Sequence, residues 1–403
     1  MRGTLNAHRL FRGEGTSRGY LQNINVDDEK EKQLKRARNA LRVALRTGLP
    51  ELQKMAVARG LIEQRHLALA SSLPPLRPRF RMQGSAAYRT LNDPAHKPPQ
   101  GIDYDDGVYL PTSFVSGAAE PVIAAKGFFK AVEEIVAPVC AQNGWTLNCK
   151  KTHCVRVEIA PDAHIDLPLY TIPDKEFTRL TEAALASVQT NARAQDDDAL
   201  FSEQIYRTLP KDRIMIAHRS NGWIESDPRK IEDWFHEAID DHGEGLRRVC
   251  RYFKGWRDHQ WKKCRLTSLA IMACVVKAYD DLGGTLAEDR DDTALLAISQ
   301  KLPDLLREEI PNPVIQGQFL DKDWTIVDRL DFVGRAERLH VELNTALNNT
   351  FHKTIAITKL QSVFGTRIPN DENLLSIDQA EREVISYKPA QVAAPVVLRS
   401  TSG

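Results

Sequence analysis

The chain has 403 residues, 42% hydrophobic and 27% charged, an ordinary composition for a globular protein with room for two lobes. Its formal net charge of +1 implies no global attraction to nucleic acid or membrane, although a local basic cleft is compatible with it. The basic N-terminus has no apolar run behind it and no stretch is long enough to span a bilayer, so a cytoplasmic protein without signal or anchor is expected.

Residues 1–25 are polar and Gly-rich, with Leu21 and Ile24 as candidate anchors. The spacing of Leu34, Ala37, Leu41 and Ala44 predicts a helix from 27. Asp27, Asp28, Glu29 and Glu31 suit its N-terminal dipole, and Gly48 and Pro50 are expected to end it. A second helix is expected over 51–70. Residues 79–83 alternate charged and apolar, which reads as a strand leading into Gly84-Ser85. Residues 86–90 open a helix. A loop with Pro94, Pro98 and Pro99 follows, then a strand over 102–110. A helix is expected over 122–136, strands over 155–159 and 165–170, and a helix over 176–194. Asp196-Asp197-Asp198 reads as a solvated loop rather than a metal site. Residues 214–224 alternate around Asn221-Gly222, a hairpin signal.

From Asp227 the pattern becomes almost wholly helical. Asp227 is placed as an N-cap with Pro228 at the first helical position. Helices are expected over 229–241, 245–260, 266–281, 292–308, 328–348 and 351–363, with Gly283-Gly284 and Gly365 as stops. Residues 369–403 have no period and read as a flexible tail. The expected fold class is α+β, with a first lobe over 1–226, a helical lobe over 227–368 and a tail over 369–403.

The cysteines are Cys140, Cys149, Cys154, Cys250, Cys264 and Cys274, and none forms a C-x-x-C pair. Cys149, His153 and Cys154 lie close together but lack a second ligand pair for zinc. Buried thiols in a reducing compartment are expected.

The chemistry concentrates between Gln83 and Asp166. Asp103 and Asp105 are two apart on a predicted strand, so they share a face. At about 6 Å and an effective dielectric near 20, two carboxylates repel by a few kcal/mol, and a divalent cation relieves this. Magnesium suits oxygen ligands completed by phosphate oxygens. Asp166 is the one acid in the apolar strand His164-Ile165-Asp166-Leu167-Pro168-Leu169, and burying it unpaired would be costly. It is the candidate third ligand. Gly84-Ser85 allows the backbone to approach a phosphate, with the Ser85 hydroxyl beside it. The sequence G-x-x-x-x-G-K-[ST] is absent, so this is not a Walker loop. Asp106, beside Gly107, is assigned to turn chemistry.

Taken together, Gly84-Ser85, Asp103-Tyr104-Asp105 and Asp166 match the pattern of polymerase-β-like nucleotidyltransferases. QGSAAYRTLN, DYDDGVYLP, HIDLPLYTIP, SDPRKIEDWF and RRVCRYFKGWRDHQW resemble the bacterial cyclic-oligonucleotide synthases related to the Vibrio dinucleotide cyclase and to animal cyclic GMP-AMP synthase. The resemblance runs in order over about residues 80–365; the animal enzyme's zinc insertion has no counterpart.

It implies a nucleotidyltransferase lobe with a mixed sheet, braced by a long N-terminal helix, and an all-helical C-terminal lobe closing the cleft. It implies a cyclic dinucleotide made from ATP and GTP as an anti-phage signal, by a monomer needing neither nucleic acid nor membrane. Asp103, Asp105 and Asp166 would be catalytic and hold two Mg2+ ions, with Mn2+ as a substitute. Gln83, Gly84 and Ser85 would hold donor phosphates, and Tyr88 would stack on a purine. Lys254 and Ser268 match positions that reach the triphosphate, with a solvated basic face as the plainer reading of Lys254. Arg156 is placed against phosphate or base. Asp321 and Asp323 are candidates for reading guanine. Another cyclic di- or trinucleotide, a linear oligonucleotide, transfer to an RNA end, and a binding module without turnover are the alternatives. The terminal Gly403 suggests conjugation by a ubiquitin-transfer-like partner, beside the plainer reading of a free end.

Overall fold

The first lobe is built on strand β3 (Ile102–Pro111). The computed structural model of the chain describes residues 5–58, 77–112, 121–180, 182, 214–283 and 286–377. Before β3 come β1 (Leu5–Asn6), helices α1 (His8–Arg12), α2 (Tyr20–Asn23) and α3 (Asp28–Ala58), β2 (Arg79–Met82) and the single turn α4 (Gly84–Ala87). After it come α5 (Pro121–Asn143), β4 (Thr146–Asn148), β5 (Cys154–Ala160) and β6 (Ala163–Ile172). The hairpin β7 (Met215–His218) and β8 (Gly222–Glu225) turns at the expected Asn221-Gly222.

The mixed sheet runs β2-β3-β6-β5-β4, with β7 also paired to β6. Only β3 and β6 are parallel among these pairs, in a register that aligns Asp103 with His164 and Asp105 with Asp166. Alternation assigns the faces. Ile102, Tyr104, Val108 and Leu110 of β3 join Ile165, Leu167 and Leu169 of β6 in a core under α3 and α5. The opposite face carries Asp103, Asp105, His164 and Asp166 at one end and the small core of Tyr109, Tyr170 and Ile172 at the other.

Helix α3 does not end at Gly48 or Pro50 but continues to Ala58. Gly48 lies where α3 meets α5: a Cβ there would stand 2.7 Å from Ile135. The close crossing explains a glycine inside a helix better than a helix stop. The buried stripe is Leu34, Ala37, Leu41, Leu45 and Leu49, with Leu45 taking the place expected of Ala44. Residues 59–70, the Asp196-Asp197-Asp198 run and 378–403 with Gly403 lie outside the described residues.

The second lobe comprises α6 (Pro228–His242), α7 (Glu244–Gln260), α8 (Ser268–Leu282), α9 (Asp291–Arg307), α10 (Ile326–Asn348) and α11 (Lys353–Phe364). Asp227 accepts the Arg229 amide as N-cap, and Pro228 opens α6. Gly283 (φ 66°) caps α8 in the left-handed region that favours glycine. Helix α7 threads the core with Val249, Tyr252, Phe253 and Trp256 fully buried. Leu5, Leu10, Phe11, Tyr20 and Ile24 pack into this helical core, as do Leu374 and Leu375. β1 pairs with β9 (Ser376–Ile377). Both ends of the described chain therefore pack on the helical lobe, although the sequence assigned them to the first lobe and the tail. No helix among the described residues is long and apolar enough to cross a membrane.

The lobes are joined through loop 90–100. Asn92 donates to the Arg251 carbonyl (2.8 Å) and accepts from Arg251 Nε (2.9 Å). Gln100 donates to the carbonyls of Asp258 (2.9 Å) and Trp261 (2.6 Å). Arg81 of β2 pairs with Glu232 of α6 at 2.8 Å.

Candidate active site

The parallel register brings the sequence-predicted acids together at the mouth of a cavity of about 400 Å³ between the lobes. Asp103 is half-exposed and lines it; Asp166 is buried. His164 Nε2 stands 2.9 Å from Asp103 Oδ1. Desolvation opposes ionisation of Asp103, but His164, then Arg156 and Lys151, outweigh it and lower the pKa. Asp105 goes the other way: burial, then repulsion from Asp103 and Asp166, raise its pKa from 3.8 to about 8. A cluster of this kind fits a hard divalent cation, which would relieve that repulsion. Among the described residues, ligand atoms of Asp103, His164 and Asp166 lie within 4.8 Å of one another. His164 could hold a metal ion with them. It was not picked out from the sequence, although it lies two residues before Asp166 on the same face of the strand.

The Gly-Ser turn is built onto the same strand. The Gln83 amide donates to the Asp105 carbonyl at 3.0 Å, and Gly84 then turns with φ 61°. Ser85 lines the cavity. The Gln83 side chain does not: it is buried and bridges the hydroxyls of two tyrosines stacked on each other, donating to Tyr109 and accepting from Tyr170 at 3.0 Å. Its side chain and its amide are thus both committed within the protein, and the phosphate contact expected of it is left to Gly84 and Ser85. Tyr88 likewise turns away from the cavity lining. Its ring packs on Phe235, centroids 6.3 Å apart, and burial raises its pKa. A stacked base would have to displace that contact.

The far wall comes from the helical lobe. Lys254 lines the cavity but is otherwise enclosed, donating to the Thr90 carbonyl at 2.5 Å. It is not on a solvated basic face. Burial, then Arg257, lower its pKa from 10.5 to about 7. Ser268 is the first residue of α8, capped by Thr267, and its hydroxyl accepts from Arg257 Nη1 at 3.0 Å. Lys262 and Lys263 complete a basic rim. Arg257 was not singled out in the sequence, because helix periodicity alone does not separate a cleft-facing charge from a solvated one, and Lys262 and Lys263 lie in the loop after α7, where no period assigns a face.

Arg156 is engaged by Asp166 in a two-pronged ion pair. Asp321 is buried, accepts the Ile310 amide at 3.0 Å and pairs with Arg329, a structural role; Asp323 is exposed, its carbonyl held by Arg265. Asp106 is no turn residue. It lies mid-strand, fully buried, and is clasped by Arg42 of α3. The cysteines divide: Cys140, Cys154, Cys250 and Cys274 are buried, Cys149 and Cys264 exposed.

A mixed sheet carrying paired carboxylates, a Gly-Ser turn on the neighbouring strand and a helical lobe across the cleft define a nucleotidyltransferase of the polymerase-β type. Residues 78–170 match the nucleotidyltransferase domain of the DncV-like cyclic GMP-AMP synthases, and residues 243–377 match the C-terminal domain of cyclic GMP-AMP synthase. A cyclic GMP-AMP synthase of Vibrio cholerae is 28% identical over 100% of this chain and 99% of its own length. One from Escherichia coli is 35% identical over 73% of this chain and 68% of that protein. The crystal structure of Vibrio cholerae DncV with the linear intermediate pppA(3′,5′)pG superposes with TM-score 0.72, at 26% identity, over 94% of this chain and all of that one. DncV bound to GTP and 5MTHFGLU2 gives 0.75, at 26% identity, over 93% and 100%. The chain belongs to the DncV-like cyclic GMP-AMP synthase family and is a nucleotidyltransferase.

Proposed function

We propose that this protein joins ATP and GTP into cyclic GMP-AMP by two rounds of nucleotidyl transfer in one cleft. The observation that carries this is the register of β3 and β6, which sets Asp103, Asp105 and Asp166 on one face, with Asp103 lining the cavity. Asp103, Asp105 and Asp166, with His164 adjacent, would hold Mg2+. When bound, the metal lowers the pKa of a ligated hydroxyl and balances charge on the departing pyrophosphate. Gly84 and Ser85 offer backbone and hydroxyl groups to the donor phosphates. Lys254, Ser268 and the Lys262-Lys263 rim face them across the cleft and supply positive charge and a helix N-terminus. The acceptor ribose hydroxyl would attack the α-phosphorus, giving a phosphodiester and pyrophosphate. Its proton would leave to Asp166 or to solvent.

The relatives, named as cyclic GMP-AMP synthases, and the DncV neighbour solved with ATP and GTP support these nucleotides as the pair; use as an anti-phage signal follows from the family resemblance alone. The reading is tested by incubating the purified protein with all four ribonucleoside triphosphates and Mg2+. Mass and linkage-specific nuclease digestion identify the product. One adenylate and one guanylate closed in a ring are expected. A linear oligonucleotide, a trinucleotide ring or cyclic di-AMP would replace this reading with one of its alternatives. Protection in a plating assay that is lost with Asp103→Ala would support the defence role.

A further inference from the structure

Asp166 commits both carboxylate oxygens to one side chain. Arg156 Nε donates to Oδ1 and Nη2 to Oδ2, each at 2.6 Å. The antiparallel register of β5 and β6 sets the two residues opposite each other, and the pair is only 17% and 9% exposed. Two parallel charge-assisted bonds make this the strongest form of a carboxylate–cation pair. Nη2 also lies 3.7 Å from Asp103 Oδ1, so the guanidinium spans two of the three acids. Arginine keeps its charge throughout the working pH range. A fixed cation therefore already holds one lone pair on each oxygen that a divalent ion would use.

We propose that Arg156 is a resident counter-cation of the metal site, holding Asp166 and Asp103 in place until a divalent cation displaces it. This rests on the metal-binding reading above. Metal at Asp166 must bind against a fixed positive charge and at oxygens that each already accept one hydrogen bond, so each binding event weakens or breaks the fork. The acids stay ordered and partly neutralised without metal, at the expense of metal affinity. Arg156 thereby acts as a positioning residue that sets the metal concentration at which the site fills.

The test is Mn2+ binding to the full-length protein without nucleotide, counted from the electron paramagnetic resonance of the free ion. Arg156→Gln is expected to bind Mn2+ about tenfold more tightly than the native protein. It should also melt at a lower temperature without metal and recover more on Mn2+ addition. Arg156→Lys keeps the charge but not the fork and should fall between the two. Equal or weaker Mn2+ binding by Arg156→Gln, with unchanged circular dichroism, overturns the proposal. If that variant does not fold, Arg156→Lys decides: tighter binding supports the proposal and unchanged binding overturns it. Asp103→Asn separates the two readings. Loss of Mn2+ there, with no gain in the Arg156 variants, leaves the metal site standing and removes only the counter-cation. Undiminished Mn2+ binding by Asp103→Asn removes both.

Discussion

Gly84 and Asp105 are packed so closely that a Cβ on Gly84 would stand 2.2 Å from Asp105 Oδ2. The Gln83 amide bonded to the Asp105 carbonyl fixes the approach. The turn proposed to hold phosphates and the strand proposed to hold metal are thus one rigid unit, and glycine is required twice, for its left-handed φ and for the missing side chain.

Gly84→Ala should therefore impair activity much more than folding. A left-handed non-glycine residue costs roughly 1–2 kcal/mol, a modest loss in thermal stability. Displacing the Asp105 carboxylate should reduce turnover about a hundredfold or more. Pyrophosphate release beside a thermal melt checks this; near-native turnover would show that Asp105 tolerates the shift.

The raised pKa of Asp105 makes metal-free stability depend on pH. The folded protein keeps this proton up to about pH 8, whereas the unfolded chain releases it near the ordinary 3.8. The contribution is full below about pH 4 and is lost as pH rises toward 8. In EDTA, Asp105→Asn should lose less stability than the native protein across that window and be the more stable of the two at pH 8. Urea denaturation at several pH values reads the difference. Parallel curves would mean that Asp105 ionises normally.

Lys254 titrates in the opposite sense. Its folded pKa is lowered to about 7, so between pH 7 and 10.5 the unfolded chain holds the extra proton and stability from this group rises with pH. A triphosphate beside it should draw the proton back. Nucleotide binding at pH 8 should thus take up a proton, seen by calorimetry in buffers of different ionisation enthalpy. Uptake should fall away below pH 7 and vanish in Lys254→Met. Proton uptake unchanged in that variant would assign it to another group.

Arg42 and Asp106 lock the long helix to the sheet. Asp106 is fully buried, so Arg42→Met leaves its charge unpaired, at about 3–5 kcal/mol. Arg42→Met with Asp106→Leu should recover most of that loss. Chemical denaturation of the four proteins in a double-mutant cycle measures the coupling, and additive effects would contradict it.

The helical lobe was legible in the sequence because its helices are amphipathic and capped: Asp227-Pro228 starts α6 and Gly283 stops α8 where expected. The shared face of Asp103 and Asp105 was legible because a period of two on a strand is a strong constraint, and Asp166 stood out as the lone acid of an apolar strand. Ion pairs between different elements were not legible. Arg42–Asp106 and Arg156–Asp166 depend on helix placement and strand register, which composition does not encode locally. Gly48 misled for a related reason, since a glycine at a close helix crossing reads like a helix stop. The N-terminal segment looked polar, yet Phe11 and Tyr20 are wholly buried in the helical core, a long-range packing choice.

The most direct measurement sets the native protein beside Asp103→Asn and Asp105→Asn, with ATP, GTP and Mg2+, and follows pyrophosphate and phosphatase-resistant product together. We expect the native protein to release one pyrophosphate for each phosphodiester formed and to yield a product with no terminal phosphate. Both variants should give neither while keeping native circular dichroism. Phosphatase-resistant product from either folded variant would contradict the assignment of these carboxylates to nucleotidyl transfer.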